Sequence, residues 1–245
     1  MANFNISLAD VCIHVSSLFP FVRVYCQDYL TEDAPDFSVS IKQADIDFER
    51  EKANREYEAE GLPRPDFHDA YLETLAVYRK IAKEMLRYDT ILLHGSAIAV
   101  DEEGFLFTAV SGTGKSTHTR LWRERFGDRA VMVNDDKPLL RIRDDGVWVC
   151  GTPWDGKHRI STNTMVRLKG IAILTRREHN SIRPMPAAMA LPTILQQSHR
   201  PQNTEDVSKT LELIDKMLQH VPVYLLKCNM DPEAAEVSYQ GMHNS

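Results

Sequence analysis

The sequence predicts an α/β fold, and three observations carry that expectation. Short apolar runs of strand length alternate with longer segments whose apolar residues recur at helical spacing. Turn signals separate several neighbouring runs, as hairpins require. A glycine-rich segment, Ser111-Gly-Thr-Gly-Lys-Ser-Thr117, falls in mid-chain between an apolar run and an amphipathic stretch, at a junction of strand and helix.

In chain order, residues 1–44 read as short strands and turns, with 11–15 and 37–41 rich in β-branched or aromatic residues. Residues 45–60 are dominated by Asp, Glu, Arg and Lys, which predicts an exposed helix with little apolar face. Gly61-Leu-Pro-Arg-Pro65 ends it, because two prolines in three positions remove donors and disfavour helix. From Asp69, residues Leu72, Leu75, Ala76, Tyr78, Ile81, Ala82, Met85 and Leu86 recur at helical spacing, giving a long helix that stops near Tyr88-Asp89.

Three short apolar runs follow at 91–94, 97–100 and 105–110, and Asp101-Glu-Glu-Gly104 predicts a hairpin turn between the second and third. A helix over 115–126 and a strand over 129–133 come next. Residues 139–142 and 147–150 flank Asp144-Asp145-Gly146, another hairpin signal, and 168–174 reads as a buried strand. Helices at 188–198 and 205–220 and a strand at 221–226 precede a last helix, with Asp231 as its cap and Pro232 at its first position. Without a long linker, the expected organisation is an N-terminal α/β segment, residues 1–88, packed on a core of residues 89–245 with C-terminal helices, as one compact unit.

With 29 Lys and Arg against 35 Asp and Glu, the chain carries a formal charge of −6. Neither nucleic acid nor an anionic membrane is the partner that such a surface leads one to expect. No apolar run reaches the roughly 18–20 residues that cross a bilayer. The opening Met-Ala-Asn-Phe-Asn-Ile-Ser has no basic region or apolar stretch of a secretory signal. Cys12, Cys26, Cys150 and Cys228 form no Cys-x-x-Cys pair, which argues against structural zinc and a disulfide framework. Reduced thiols in a cytoplasmic protein are the expectation.

The glycine-rich segment has the composition of a phosphate loop. Glycines let successive backbone N–H groups curl round an anion, and the helix that follows points its positive end at the same place. Ser111, Gly112, Thr113, Gly114, Lys115, Ser116 and Thr117 are the candidate nucleotide-binding residues. Lys115 would bridge the β- and γ-phosphates and the Ser116 hydroxyl would ligate Mg²⁺. Ala109 stands where the full motif has glycine, and it fits the loop if its φ is negative.

A phosphate loop needs a carboxylate for Mg²⁺ at the end of a neighbouring strand, and Asn134-Asp135-Asp136 supplies two. Unbroken strand geometry would point them to opposite faces, one toward the metal and one toward the attacking hydroxyl. The same residues also suit a turn or helix cap. Further on, Gly151-Thr-Pro-Trp154-Asp-Gly-Lys157-His-Arg159 reads as an ordered loop. Lys157 and Arg159 are candidates for neutralising a transferred phosphate, or equally for solvated surface charges.

Leu93-His94-Gly95-Ser96 before a hairpin, then the 111–117 loop, then Val133-Asn-Asp-Asp136, in that order and spacing, resemble the kinase core of the HPr kinase/phosphorylase family. ATP-dependent phosphoenolpyruvate carboxykinase and the serine kinases of peptide-maturation pathways are related to that family. The resemblance covers roughly residues 90–175, and the 151–154 segment is similar to one in uncharacterised members of the same superfamily. It implies a mixed β-sheet with an embedded P-loop and flanking helices. It also implies Asp135 as the base toward the acceptor hydroxyl, Asp136 as the metal-side carboxylate and His94 as a histidine touching the pair. The division between the aspartates can be reversed, and His94 also reads as a strand-end histidine. Residues 1–88 do not resemble the N-terminal domain of HPr kinases, so HPr is not the expected acceptor, and nothing matches the substrate arginines of the carboxykinase.

These readings lead to a Mg²⁺- and ATP-dependent kinase that transfers the γ-phosphoryl to a hydroxyl of a peptide or protein serine, or of a small molecule. Lys115, Asp135 and His94 would be catalytic, and Ser116 and Asp136 would hold the metal. The alternative is a non-catalytic ATP-binding protein whose occupancy regulates a partner. Homo-oligomerisation is left open by the sequence.

Overall fold

The computed structural model describes residues 1–199, 201 and 203–243. They fall into two compact units, Met1–Glu84 and Met85–Ser245. The first opens with strands β1 (Ala2–Leu8) and β2 (Val11–Ser17), paired antiparallel. Phe4, Ile6 and Leu8 alternate with polar neighbours along β1 and are buried. Ala9 and Asp10 join the two strands with φ of 51° and 58°, the positive pair of a tight hairpin turn.

A short helix α1 (Phe21–Tyr25), strand β3 (Leu30–Thr31) and strand β4 (Phe37–Ser40) follow, giving a sheet of order β3-β1-β2-β4. Helix α2 (Gln43–Ala59) buries Ile46 and little else that is apolar, as its charged sequence predicts. It is tied to α3 (Asp69–Glu84) through ions: Arg79 reaches Glu49 at 2.5 Å and Lys80 reaches Asp45 at 2.7 Å. The fully buried Glu73 of α3 accepts the backbone N–H groups of Leu18 at 2.5 Å and Phe19 at 2.9 Å, fixing the turn after β2.

In the second unit, among the described residues, nine strands form one mixed sheet: β5 (Thr90–Leu92), β6 (Ser96–Val100), β7 (Glu103–Thr108), β8 (Ala130–Asn134), β9 (Leu139–Arg143), β10 (Gly146–Cys150), β11 (Met165–Arg176), β12 (Ser181–Met185) and β13 (Val223–Cys228). The order runs β5-β9-β10-β11-β7-β6-β8. The 12-residue β11 is long enough to pair with β10 at its start and with β13 at its end, while β7 lies along its other side. β7 and β13 are both parallel to β11, and β12 closes the edge antiparallel to β13.

The helices are α4 (Lys115–Phe126), α5 (Ala187–Gln197), α6 (Thr204–His220) and α7 (Glu233–His243). Alternation along the strands sorts the core into two layers. Leu106, Ile171 and Ile173 join Ile194 of α5 and Leu213 and Met217 of α6, whereas Phe105, Phe107, Ala172 and Leu174 join Trp122 of α4 and Met242 of α7. With both faces covered, the central strands read as unbroken apolar runs.

Two turn expectations are refined. The hairpin at 101–104 turns on Asp101 and Glu102 (φ 52° and 67°), and Gly104 lies inside β7. A Cβ on Gly104 would stand 2.7 Å from Val149 Cγ1, so close strand packing, not turn geometry, requires the glycine. The last helix starts at Glu233, immediately after Pro232.

Candidate functional site

Strand β7 ends at Thr108 and α4 begins at Lys115, with the glycine-rich segment between them. Gly112 and Gly114 adopt φ of 77° and 114°, conformations that L side chains rarely adopt, while Ala109 stays out of that region. The loop closes on itself through the Thr113 N–H, 3.3 Å from the Val110 carbonyl, and the Thr113 hydroxyl, 2.8 Å from the same oxygen. Gly114 caps α4 without a side chain, so the leading N–H groups of the helix keep their donors turned outward.

Lys115 folds back beneath the loop. Its Nζ donates to the Ala109 carbonyl at 3.1 Å, and its side chain is buried. Burial pushes the ammonium pKa down, opposed by the charges of Asp136 and Asp135. Arg176, at the end of β11, braces the loop from outside by donating to the carbonyls of Gly112 and Thr113, the latter at 2.9 Å. Nothing in the local sequence of Arg176 marks it, because its partners are 63 and 64 residues away.

The carboxylate pair sits where β8 ends, and the two side chains have different neighbours. Asp135 is 6% exposed. Its Oδ1 accepts the Ser96 hydroxyl at 2.6 Å, and Ser96 also meets the Thr119 hydroxyl at 2.8 Å. Burial lifts the Asp135 pKa above the ordinary value, against the lowering effects of Ser96, Ser116 and the nearby His158. Asp136 is more open, with 29% of its side chain accessible. Burial raises its pKa too, but the His94 hydrogen bond and the charges of Lys137, His94 and Lys115 outweigh that and hold it below the usual range.

His94 is anchored on both sides. Nε2 lies 3.1 Å from Asp136 Oδ1 and Nδ1 lies 3.1 Å from Oε1 of the buried Gln197, whose backbone carbonyl also accepts the His94 N–H at 2.8 Å. The ring donates to both oxygens only as an imidazolium; a neutral ring needs the Gln197 amide turned over. Asn134 shapes the turn between the carboxylates by accepting the N–H groups of Asp136 at 2.9 Å and Lys137 at 2.6 Å. Its own amide donates to the Thr152 hydroxyl at 2.9 Å.

Thr152 is the second residue of the 151–164 loop, which returns on itself where the Gly151 N–H meets the Thr164 carbonyl at 2.9 Å. A Cβ on Gly151 would stand 2.0 Å from the Thr162 carbonyl oxygen. Trp154 and Asp155 are buried, and Asp155 accepts the Ser161 hydroxyl at 2.8 Å. Lys157, His158 and Arg159 are exposed. Arg159 stands 3.9 Å from Asp155, and His158 is the loop histidine whose proximity lowers the Asp135 pKa.

The fold thus brings together Lys115, Ser116, Asp135, Asp136 and His94, and adds Ser96, Thr119, Gln197, Arg176 and His158. Among the described residues there is no group of three or more His, Cys, Asp or Glu side chains that could hold a metal ion by themselves. No helix among them is long and apolar enough to cross a membrane. The four cysteines are free and buried.

No family model and no curated protein matches the sequence. Among solved structures, the HPr(Ser) kinase/phosphatase from Coxiella burnetii is similar at 13% identity and a TM-score of 0.38, over 62% of this chain and 94% of that one, a distant likeness of fold.

Proposed function

We propose that this chain is a Mg²⁺-dependent ATP phosphotransferase acting on a hydroxyl acceptor, a serine of a peptide or protein or a small molecule. The observation that supports it is the convergence, beneath one glycine-rich loop, of the Lys115 ammonium, the Ser116 hydroxyl and two adjacent carboxylates with different partners. The loop amides and Lys115 would hold the β- and γ-phosphates. Mg²⁺, when bound, supplies charge neutralisation between those phosphate oxygens. Hard oxygen donors suit it, and it is held through one or two carboxylates plus phosphates rather than by a full protein cage. Ser116 and Asp135 fit that role: the Ser116 hydroxyl is close enough to favour the ionised Asp135, and Asp135 is the deeper carboxylate.

Asp136 then faces the acceptor. It is the more accessible of the pair, and His94 and Lys137 keep it ionised and oriented. This is the reverse of the division that the family resemblance implies. In the transfer step Asp136 takes the acceptor proton as the acceptor oxygen bonds to the γ-phosphorus. The bond from that phosphorus to the β-bridging oxygen breaks and ADP leaves. Positioning and charge stabilisation account for most of such catalysis.

The test is incubation of the purified chain with γ-labelled ATP, Mg²⁺ and a cell extract, followed by separation into protein, small molecules and free phosphate. Wild type should label a protein or metabolite. Asp136→Asn should bind ATP and transfer nothing, and Asp135→Asn should lose the Mg²⁺ dependence of ATP binding. Undiminished transfer by Asp136→Asn refutes its acceptor-side role, and failure of wild type to bind ATP refutes the reading as a whole.

A further inference from the structure

We infer that Arg176 is a positioning residue for phosphate binding: its guanidinium holds the Thr113–Gly114 peptide group with the carbonyl turned outward and the N–H turned into the loop. This rests on the reading above, in which the loop holds phosphates, and names the side chain that makes the loop a surface of donors.

Glycine gives such a loop its shape and also its ambiguity. Gly112 and Gly114 carry φ of 77° and 114°, and a residue without Cβ reaches positive and negative φ about equally well. The peptide group between Thr113 and Gly114 can therefore turn over, through ψ of Thr113 and φ of Gly114, at little steric cost. One orientation offers an N–H to an anion, as phosphate-binding nests do. The other offers a carbonyl oxygen, which repels it. No atom lies within 4 Å of where a Cβ would stand on either glycine, so crowding does not choose between the two.

Arg176 makes the choice. Its Nε donates to the Thr113 carbonyl at 2.9 Å and its Nη2 to the Gly112 carbonyl, so one edge of the guanidinium grips two successive carbonyls. A planar fork is pre-organised for a pair of acceptors in a way that an ammonium is not. In a trans peptide the N–H points opposite to the carbonyl, and no peptide bond among the described residues is cis. The Gly112–Thr113 group shows which side is inward: its carbonyl is on Arg176 and its N–H reaches across the loop to the Val110 carbonyl at 3.3 Å. The next group has its carbonyl on the same guanidinium, so the Gly114 N–H also faces away from Arg176. It has no acceptor among the described residues. There it joins the first-turn N–H groups of α4, which have no partner within the helix.

The guanidinium is itself aimed by the sheet. Arg176 is the last residue of β11 and pairs with Cys228, the last of β13. Beyond it the Arg177 N–H donates to the Cys228 carbonyl at 3.0 Å, and the Arg177 guanidinium donates to the Arg176 carbonyl at 2.8 Å. Among the described residues Arg176 pairs with no carboxylate, so the two loop carbonyls are what its charge serves. It is exposed, and no part of the core rests on its side chain.

Calorimetry on the full chain with Mg²⁺-ATP, Mg²⁺-ADP and Mg²⁺-tripolyphosphate tests this. Arg176→Ala should weaken all three by roughly tenfold, the result expected when the loop spends about nine-tenths of its time with the carbonyl inward. Arg176→Lys, with one ammonium in place of the fork, should recover only part of the loss. Guanidinium at a sub-denaturing concentration should strengthen binding to Arg176→Ala more than potassium does at equal ionic strength, a rescue that a merely structural role would not show. If Arg176→Ala binds all three ligands as wild type does, or guanidinium rescues no better than potassium, the positioning role is overturned and the phosphate reading stands. Weaker ATP and tripolyphosphate with unchanged ADP also overturns it, because Arg176 then touches the γ-phosphate itself. If wild type binds none of the three, the phosphate reading falls as well.

Discussion

The Ser96 hydroxyl donates to Asp135 Oδ1 across 2.6 Å while standing 2.8 Å from the Thr119 hydroxyl. Strand β6, helix α4 and the end of β8 are joined by that one contact. A buried carboxylate whose pKa is already raised by desolvation depends on such donors to stay ionised. Ser96→Ala should therefore weaken Mg²⁺-dependent ATP binding by about tenfold, the effect of removing one hydrogen bond to a buried charge. Titration of nucleotide affinity against Mg²⁺ reads it directly, and an unchanged midpoint would show that Ser96 is packing material only.

Lys115 sits under the loop with its ammonium on the Ala109 carbonyl. To bind phosphate it exchanges that carbonyl for phosphate oxygens. Lys115→Ala should cost about 3 kcal/mol of transition-state stabilisation, roughly a hundredfold in rate, by analogy with the loss of one preorganised donor. Retention of full turnover in that variant would sink the proposed mechanism.

Gln197 reaches His94 through both its side chain and its backbone. Gln197→Ala should lower kcat by roughly tenfold, a single hydrogen bond's effect, while KM for ATP stays put, because Gln197 steadies the acceptor side. A change confined to KM for ATP would place the His94–Asp136 pair on the nucleotide side instead.

In the N-terminal unit the prediction concerns stability. Burial raises the Glu73 pKa above 4.5, with the Leu18 and Phe19 N–H bonds pulling the other way. Folded protein thus keeps this proton over a range where the unfolded chain has released it. The native state binds more protons there, so Glu73's contribution to stability falls as pH rises from 4.5 through the raised value and levels off above it. Glu73→Gln should abolish that slope. Denaturant unfolding at several pH values between 4.5 and neutrality tests this, and a wild-type-minus-variant difference that ignores pH refutes it.

The site was legible in sequence to the extent that its chemistry is local. Residues 111–117 carry their own conformational demands, and the structure meets them with positive φ at Gly112 and Gly114. Asp135 and Asp136 declared themselves by following a strand. Ser96, Gln197 and Arg176 could not, since a serine in a strand or an arginine at its end acquires meaning only from a partner 39, 103 or 63 residues away. For the fold, alternation and turn chemistry gave most strands of the second unit. Strand β12 escaped because Pro184 lies inside it, tolerated at an edge where only β13 is paired. Gly104 misled for the opposite reason: its turn-like identity answers to a crowded neighbour, Val149.

The brace from Arg176 to the carbonyls of Gly112 and Thr113 also sets a timetable. A nascent chain that has emerged only as far as α4 contains every residue of the loop and none of its outer support. The brace must wait for β11, which pairs with β7 across some sixty residues, and such long-range pairing is slow to form. A chain halted during synthesis before Arg176 therefore carries the whole glycine-rich segment without that outer support.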